Sequence, residues 1–277
     1  MKRLLGAALA ACLVLPAQAA ERVVTLGGSV TEIVYALGKG DMLVGDDLSS
    51  IYPDAATRLP RVGYYRSVPV EGVLALKPDL VLASDQSGPP DALKRLADVG
   101  VTVLRISDEP SVQSLETRIG QIAQALGAGP EGERLLAQVR QDLQAAQALP
   151  ASGKRAVLLM NRTGTPQAAG GGTAADLLLR LAGLDNVMAG QQGYKPLSAE
   201  GIGALAPQAI IVTTASVTAS GGLDKLYQQP GLANTPAARH QCIIAMDDLL
   251  ALGTGPRLGQ AIRFLKQQPC IQHDAVH

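Results

Sequence analysis

At 277 residues and zero formal net charge, the chain has room for one large domain or two of about 100–150 residues, and it has no charge bias toward a polyanion. Aromatic residues are 3%, with no Trp and one Phe, so an aromatic stacking platform for nucleic acid is excluded and the core must be aliphatic.

Lys2-Arg3, the apolar run Leu4 to Leu15 and the small-x-small triplet Ala17-Gln18-Ala19 form an export signal, with cleavage expected after Ala19. Cleavage leaves 24 − 2 = 22 basic against 24 acidic residues, a formal charge of −2. The apolar run is too short to span a bilayer. Leu9-Ala10-Ala11-Cys12 resembles a lipoprotein box, but lipidation there would leave apolar Leu13-Val14-Leu15 where a polar tether is expected. A periplasmic protein is therefore expected. The mature chain keeps Cys242 and Cys270, and an oxidising compartment permits them to pair. Whether they come within bridging distance stays open at this level.

In chain order, Arg22 to Leu26 is a β-rich run, Gly27-Gly28-Ser29 a turn and Thr31 to Leu37 a helix, with Ser29 as its N-cap. Met42 to Gly45 reads as a strand and Leu48 to Pro60 as an irregular loop. Val70 to Leu76 is a helix stopped by Pro78, and Leu80 to Ala83 a strand. Asp91 to Val99 (helix), Val101 to Ile106 (strand) and Val112 to Leu126 (helix) follow. Pro130 to Leu149 carries one long helical stripe, a rigid connector of about 30 Å. The second half reads strand 155–160, helix 173–182 capped by Thr173, helix 199–205, strand 209–213, helix 223–228, strand 242–245 and helix 256–267. Residues 271–277 are expected to form a polar tail. Strands rich in Val, Ile and Leu that alternate with helices predict parallel sheet covered on both faces.

The two halves echo each other. Gly63-Tyr64 and Glu71-Gly72, followed by a Leu-x-Pro break at Leu76 to Pro78, return as Gly193-Tyr194, Glu200-Gly201 and Leu205 to Pro207. The two glutamates lie 200 − 71 = 129 positions apart. A long-period echo implies two lobes of one architecture. What the first copy alone has is Arg66 two residues after Tyr64. A phenol beside a fixed cation suits a hard anionic oxygen ligand for ferric iron, and tyrosinate is a haem ligand in other proteins. The bland alternative is a ring packed at a loop base. Glu71 and Glu200 are either first-turn acids favoured by the helix dipole or, as a pair, matching acidic knobs for a two-fold partner. The glycine turns lack nucleotide-binding spacing. His273 and His277 sit at the terminus, and His240 stands alone beside Arg239. No Gly-x-Ser-x-Gly occurs, so no enzyme is expected.

Export, the echo, the single central helix and EGVLALKPDLVLAS together resemble the cluster of periplasmic binding proteins that serve haem, cobalamin and ferric-siderophore ABC importers (the class III fold). VGYYRS, TAADLLLRLAGLDNV, GYKPLSAEG, PGLANTPAAR and GTGPRLGQAI look most like the haem-binding branch. The resemblance implies two Rossmann-like α/β lobes, 20–129 and 151–270, joined by helix 130–150, with the ligand in the cleft between them. It implies haem as cargo, Tyr64 as axial iron ligand and Arg66 on the ligand oxygen. Tyr65, Tyr194 and Arg239 are implied around the ligand. Glu71 and Glu200 would dock on an inner-membrane permease dimer with its ATPase, and an outer-membrane haem receptor would act upstream. With no His between 160 and 200, a single protein ligand is expected. Tyr65 departs from the large apolar residue more usual there. The alternative is a cobalamin or ferric-siderophore binder of the same fold.

Overall fold

The computed structural model describes residues 21–161 and 165–272. The export signal, the Cys12 box, His273 and His277 lie outside the described residues.

The N-terminal lobe comprises β1 (Val23–Leu26), α1 (Gly28–Ala36), β2 (Leu43–Asp46), α2 (Val70–Ala75), β3 (Leu80–Ser84), α3 (Pro90–Asp98), β4 (Thr102–Ile106) and α4 (Val112–Ala125). Its four strands are all parallel, in the order β2-β1-β3-β4. Val23–Leu26 and Leu80–Ser84 are buried at every position, as strands covered on both faces must be. α5 (Gly129–Gln147) then crosses to the second lobe as a single helix of 19 residues. The C-terminal lobe adds β5 (Arg155–Met160), β6 (Gln167–Ala169), α6 (Ala174–Leu181), β7 (Asp185–Asn186), β8 (Tyr194–Pro196), α7 (Ala199–Leu205), β9 (Ala209–Thr213), α8 (Thr214–Ala219), α9 (Leu223–Gln228) and α10 (Pro236–Arg239). β10 (Ile243–Met246), α11 (Asp248–Leu252), α12 (Leu258–Lys266) and α13 (Pro269–Gln272) complete it. The sheet order is β10-β9-β5-β6-β8, with short β7 also on β5.

The largest core is continuous between the lobes. Ile33, Ile119 and Ile122 from the first lobe, Val139 and Leu143 of α5, and Leu178, Ile262 and Leu265 from the second are all buried in it. The end of α5 is held by Lys266, whose Nζ donates to Gln147 O (3.2 Å) and Leu149 O (2.7 Å), a cation where helix carbonyls lack partners. The outer faces of the two sheets carry separate aliphatic clusters, one under α2 and α3, the other under α7 and α9.

The internal echo extends to the backbone. Lys77 and Ala206, each directly before the proline of its Leu-x-Pro break, have φ of 49° and 43°. A left-handed residue ends the helix in both copies, and the proline prevents its resumption.

Several expectations are corrected. Ser29 does not cap α1: Gly27 is the N-cap and Ser29 sits inside the first turn, whereas Thr173 caps α6 by accepting from Asp176 N at 3.0 Å. The C-terminal sheet is mixed, because β6 runs antiparallel to both of its neighbours, β5 and β8. The expected polar tail begins too early, since Ile271 is buried in α13. The open question of the cysteines is answered by a Cys242–Cys270 disulfide, Cα atoms 5.5 Å apart, tying the start of β10 to α13.

Candidate functional site

In an open parallel sheet the strands' carboxyl ends face the crevice where ligands bind. At those ends of the N-terminal sheet lie the loops after β1, β2, β3 and β4, and the segment 61–68 is anchored among them. Val62 N donates to Asp46 O (2.9 Å), Leu48 N to Gly63 O (2.8 Å), and Gly88 N to Tyr65 O (3.0 Å). Gly63 has φ of 96°, a backbone region costly for any residue with a Cβ, and it turns the chain so that Tyr64 follows at the rim.

One buried carboxylate organises this region. Asp47 is fully buried. Its Oδ1 accepts from Gly27 N (2.9 Å), Ser49 Oγ (2.8 Å) and Ser50 Oγ (3.1 Å), and its Oδ2 from Ser49 N (3.0 Å) and Tyr65 N (3.2 Å). The turn into α1, the loop after β2 and the tyrosine loop are thus held by a single side chain.

Tyr64 is 40% exposed and its ring meets Tyr65 edge-on at 4.9 Å. Tyr65 is half-buried, and burial pushes its phenol up to about 12 against the pull of Arg66, so it stays protonated at neutral pH. Arg66 Nε donates to Tyr65 Oη at 3.0 Å, with the guanidinium 5.2 Å from that ring's centroid. Partial burial opposes the Arg66 charge, but the Tyr65 oxygen and, less strongly, Tyr64 raise its pKa. Arg66 thus faces both phenols, with Tyr65 its stronger partner and Tyr64 the weaker.

Tyr64 does not stand alone at the rim. Of the large hydrophobic side chains exposed to solvent, Leu48 (57%), Ile51 and Tyr52 share the loop after β2 with its backbone tie to Gly63. At the carboxyl ends of β5 and β9, the C-terminal lobe holds a cavity of about 510 Å³. Its wall is mainly apolar, with Leu159, Pro166, Leu197, Ile202, Val212 and Leu226.

The other predicted ligand residues are not brought to this place. Tyr194 starts edge strand β8 and packs against the core under α5 and α6, on the opposite face of the sheet from the cavity. Arg239 closes α10, which precedes β10. Ala237 N donates to Pro207 O there, at the amino ends of β9 and β10, and the exposed Arg239 donates to Asn234 O (2.8 Å). Glu71 and Glu200 are both exposed in the first turns of α2 and α7, at matching places on the two lobes. Sequence reasoning missed Asp47, Leu48, Ile51 and Tyr52. The available signal was three large apolar residues in a loop with no secondary-structure period.

The sequence profile of the periplasmic binding protein family matches residues 23–250. The chain belongs to that family. Among solved periplasmic binding proteins, a heme-binding protein, RhuT, from Roseiflexus sp. RS-1 in apo form is 40% identical with a TM-score of 0.84, over 89% of this chain and 96% of that one. The periplasmic heme-binding protein BhuT, in complex with two hemes, is also 40% identical, with a TM-score of 0.83 and the same coverage. Among curated relatives, an uncharacterized ABC transporter substrate-binding lipoprotein, YvrC, of Bacillus subtilis (strain 168) is 32% identical over 89% of this chain and 79% of its own length. A vitamin B12-binding protein of Yersinia pestis (strain Pestoides F) is 33% identical over 73% of this chain and 72% of its own length.

Proposed function

We propose that this protein, exported by a signal cleaved after Ala19, captures ferric haem in the periplasm and delivers it to an inner-membrane ABC permease dimer. The observation that carries the reading is the exposed phenol of Tyr64, which lies next to Arg66 and is tied to a loop bearing exposed Leu48, Ile51 and Tyr52 at the carboxyl edge of a parallel sheet. A porphyrin laid on that rim removes apolar surface from water on both partners, at about 25 cal/mol per Å². Tyr64 supplies a hard oxygen to the iron, since ferric charge favours the phenolate form. Tyr65 and Arg66 form the layer behind it, a protonated phenol and a permanent cation that favour negative charge at the rim. The apolar cavity of the second lobe covers the other side of the ligand. The likeness to haem-binding structures supports this cargo over others. Glu71 and Glu200 are the two contacts offered to the permease, one from each lobe. No covalent bond of the haem itself is made or broken in this role.

A cobalamin reading is favoured by the vitamin B12-binding relative. One pair of titrations separates the two: haemin followed by its Soret band, and cyanocobalamin followed by calorimetry. Saturable one-to-one haemin binding with no cyanocobalamin heat supports haem, and the reverse pattern assigns cobalamin.

A further inference from the structure

We propose that Arg257 and Glu32 clamp the two lobes together, and that Arg257, by stacking on Tyr52, is a positioning residue for whatever ligand occupies the cleft. Glu32 lies on α1 of the first lobe, and Arg257 immediately precedes α12 of the second. The pair is bidentate: Nε to Oε1 at 2.9 Å and Nη2 to Oε2 at 3.1 Å, with side chains only 16% and 3% exposed. Both fork positions of the carboxylate are used, the arrangement that fixes direction as well as distance. Asp247 adds a longer contact to Arg257 at 3.9 Å.

The surrounding packing gives the pair little freedom. A Cβ on Gly255 would stand 3.0 Å from Glu32 Oε2, so the turn before Arg257 lies directly on the glutamate. One residue earlier, Thr254 O accepts from Nη1 of Arg118 (2.7 Å), a fully buried side chain of α4. Segment 254–257 of the second lobe is therefore held to the first lobe by two arginines, one from each side.

The same guanidinium reaches the cleft. Its carbon is 3.4 Å from the centroid of the Tyr52 ring, a flat cation stacked on an aromatic face. Tyr52 remains 40% exposed and belongs to the loop that forms the apolar rim. A ligand resting on Tyr52 thus presses on a ring backed by a group bonded across the lobes. Ordinary burial of an ion pair would account for a stability contribution, but not for shared control of lobe geometry and ligand residence.

The clamp is testable without any ligand. Dyes on Lys94→Cys and Lys225→Cys, exposed positions on separate lobes, report interlobe distance while the native cysteines are bridged. Arg257→Lys keeps the charge but loses the fork and the stack, Glu32→Gln keeps the shape, and Tyr52→Leu removes only the ring. The proposal predicts a broadened, longer distance distribution in Arg257→Lys and Glu32→Gln and an unchanged one in Tyr52→Leu. In the same proteins haemin release, followed by transfer to apomyoglobin, should be about tenfold faster for Arg257→Lys and for Tyr52→Leu, the factor that corresponds to loss of one partly desolvated cation–ring stack. Unchanged distance distributions in both charge variants would overturn the clamp. Unchanged release rates in Arg257→Lys and Tyr52→Leu would overturn the positioning role. The release arm rests on the haem reading, so failure of wild type to bind haemin would count against that reading while the distance measurement still decided the clamp.

Discussion

Asp47→Asn is the substitution whose consequence the structure fixes most tightly. The side chain keeps its size and loses one acceptor oxygen and a charge. If the new amide NH2 faces the Oδ2 side, the Ser49 and Tyr65 amides, which can only donate, both lose their acceptor. If it faces the Oδ1 side, the Ser49 and Ser50 hydroxyls rotate to accept, and only Gly27 N is orphaned. The second arrangement is cheaper, and the bonds that survive change from charged to neutral. Hydrogen bonds to charged groups contribute about 1.5–3 kcal/mol each and neutral ones about 0.5–1.5 kcal/mol, while a buried orphan costs about 1–3 kcal/mol. Relief from burying a carboxylate offsets part of this, which leaves a loss of about 2–4 kcal/mol. Urea unfolding should show the midpoint falling by that loss divided by the slope, with the slope itself unchanged. Haemin affinity should fall with it, because Asp47 anchors the Tyr65 amide beside Tyr64. A variant within about 0.5 kcal/mol of wild type, inside the range of an ordinary surface substitution, would refute the idea that this carboxylate holds the three loops.

Two further outcomes follow from other carboxylates. Asp46 is fully buried, neither of its oxygens accepts a hydrogen bond, and Arg61 Nη1 approaches to 3.3 Å without aligning as a donor. Burial pushes its pKa from 3.8 to about 7. The folded state therefore favours the protonated acid, so the stabilisation is complete below about pH 4 and is lost as pH rises through 7, about 4 kcal/mol in all at 1.36 kcal/mol per pKa unit. Between pH 5 and 8 wild type should lose about 3 kcal/mol that Asp46→Asn does not lose, and parallel stability–pH curves would contradict this. Reversing Glu71 and Glu200 together to Lys should abolish haemin-stimulated ATPase of the reconstituted permease while leaving haemin titration unchanged, because both side chains are exposed in the first turns of their helices. Full stimulation by that double variant would exclude the two glutamates as the docking contacts.

The alternation of aliphatic strands with helices, the connector and the echo were all legible in the sequence, because burial on both faces of a parallel sheet demands continuous Val, Ile and Leu. β6 and β8 were not legible: at three residues each, Gln167–Ala169 and Tyr194–Pro196 carry no period. Tyr64 and Glu71 were readable from local motifs, whereas Asp47 was not, since its partners at Gly27 and Tyr65 are 20 and 18 positions away. The same limit hid Arg257, whose carboxylate partner lies 225 positions earlier. That Arg66 bonds Tyr65 more strongly than Tyr64 depends on side-chain direction, which i,i+1 and i,i+2 spacing does not encode.

The claim at the centre of the account is that the exposed phenol of Tyr64, and not that of its half-buried neighbour Tyr65, meets the iron. The direct test is the optical and resonance Raman spectrum of the ferric haem complex for wild type, Tyr64→Phe and Tyr65→Phe. The account predicts phenolate-to-iron charge-transfer bands and a phenolate–iron stretch in wild type and Tyr65→Phe, and their loss in Tyr64→Phe. Retention of those signatures in Tyr64→Phe together with their loss in Tyr65→Phe would contradict it.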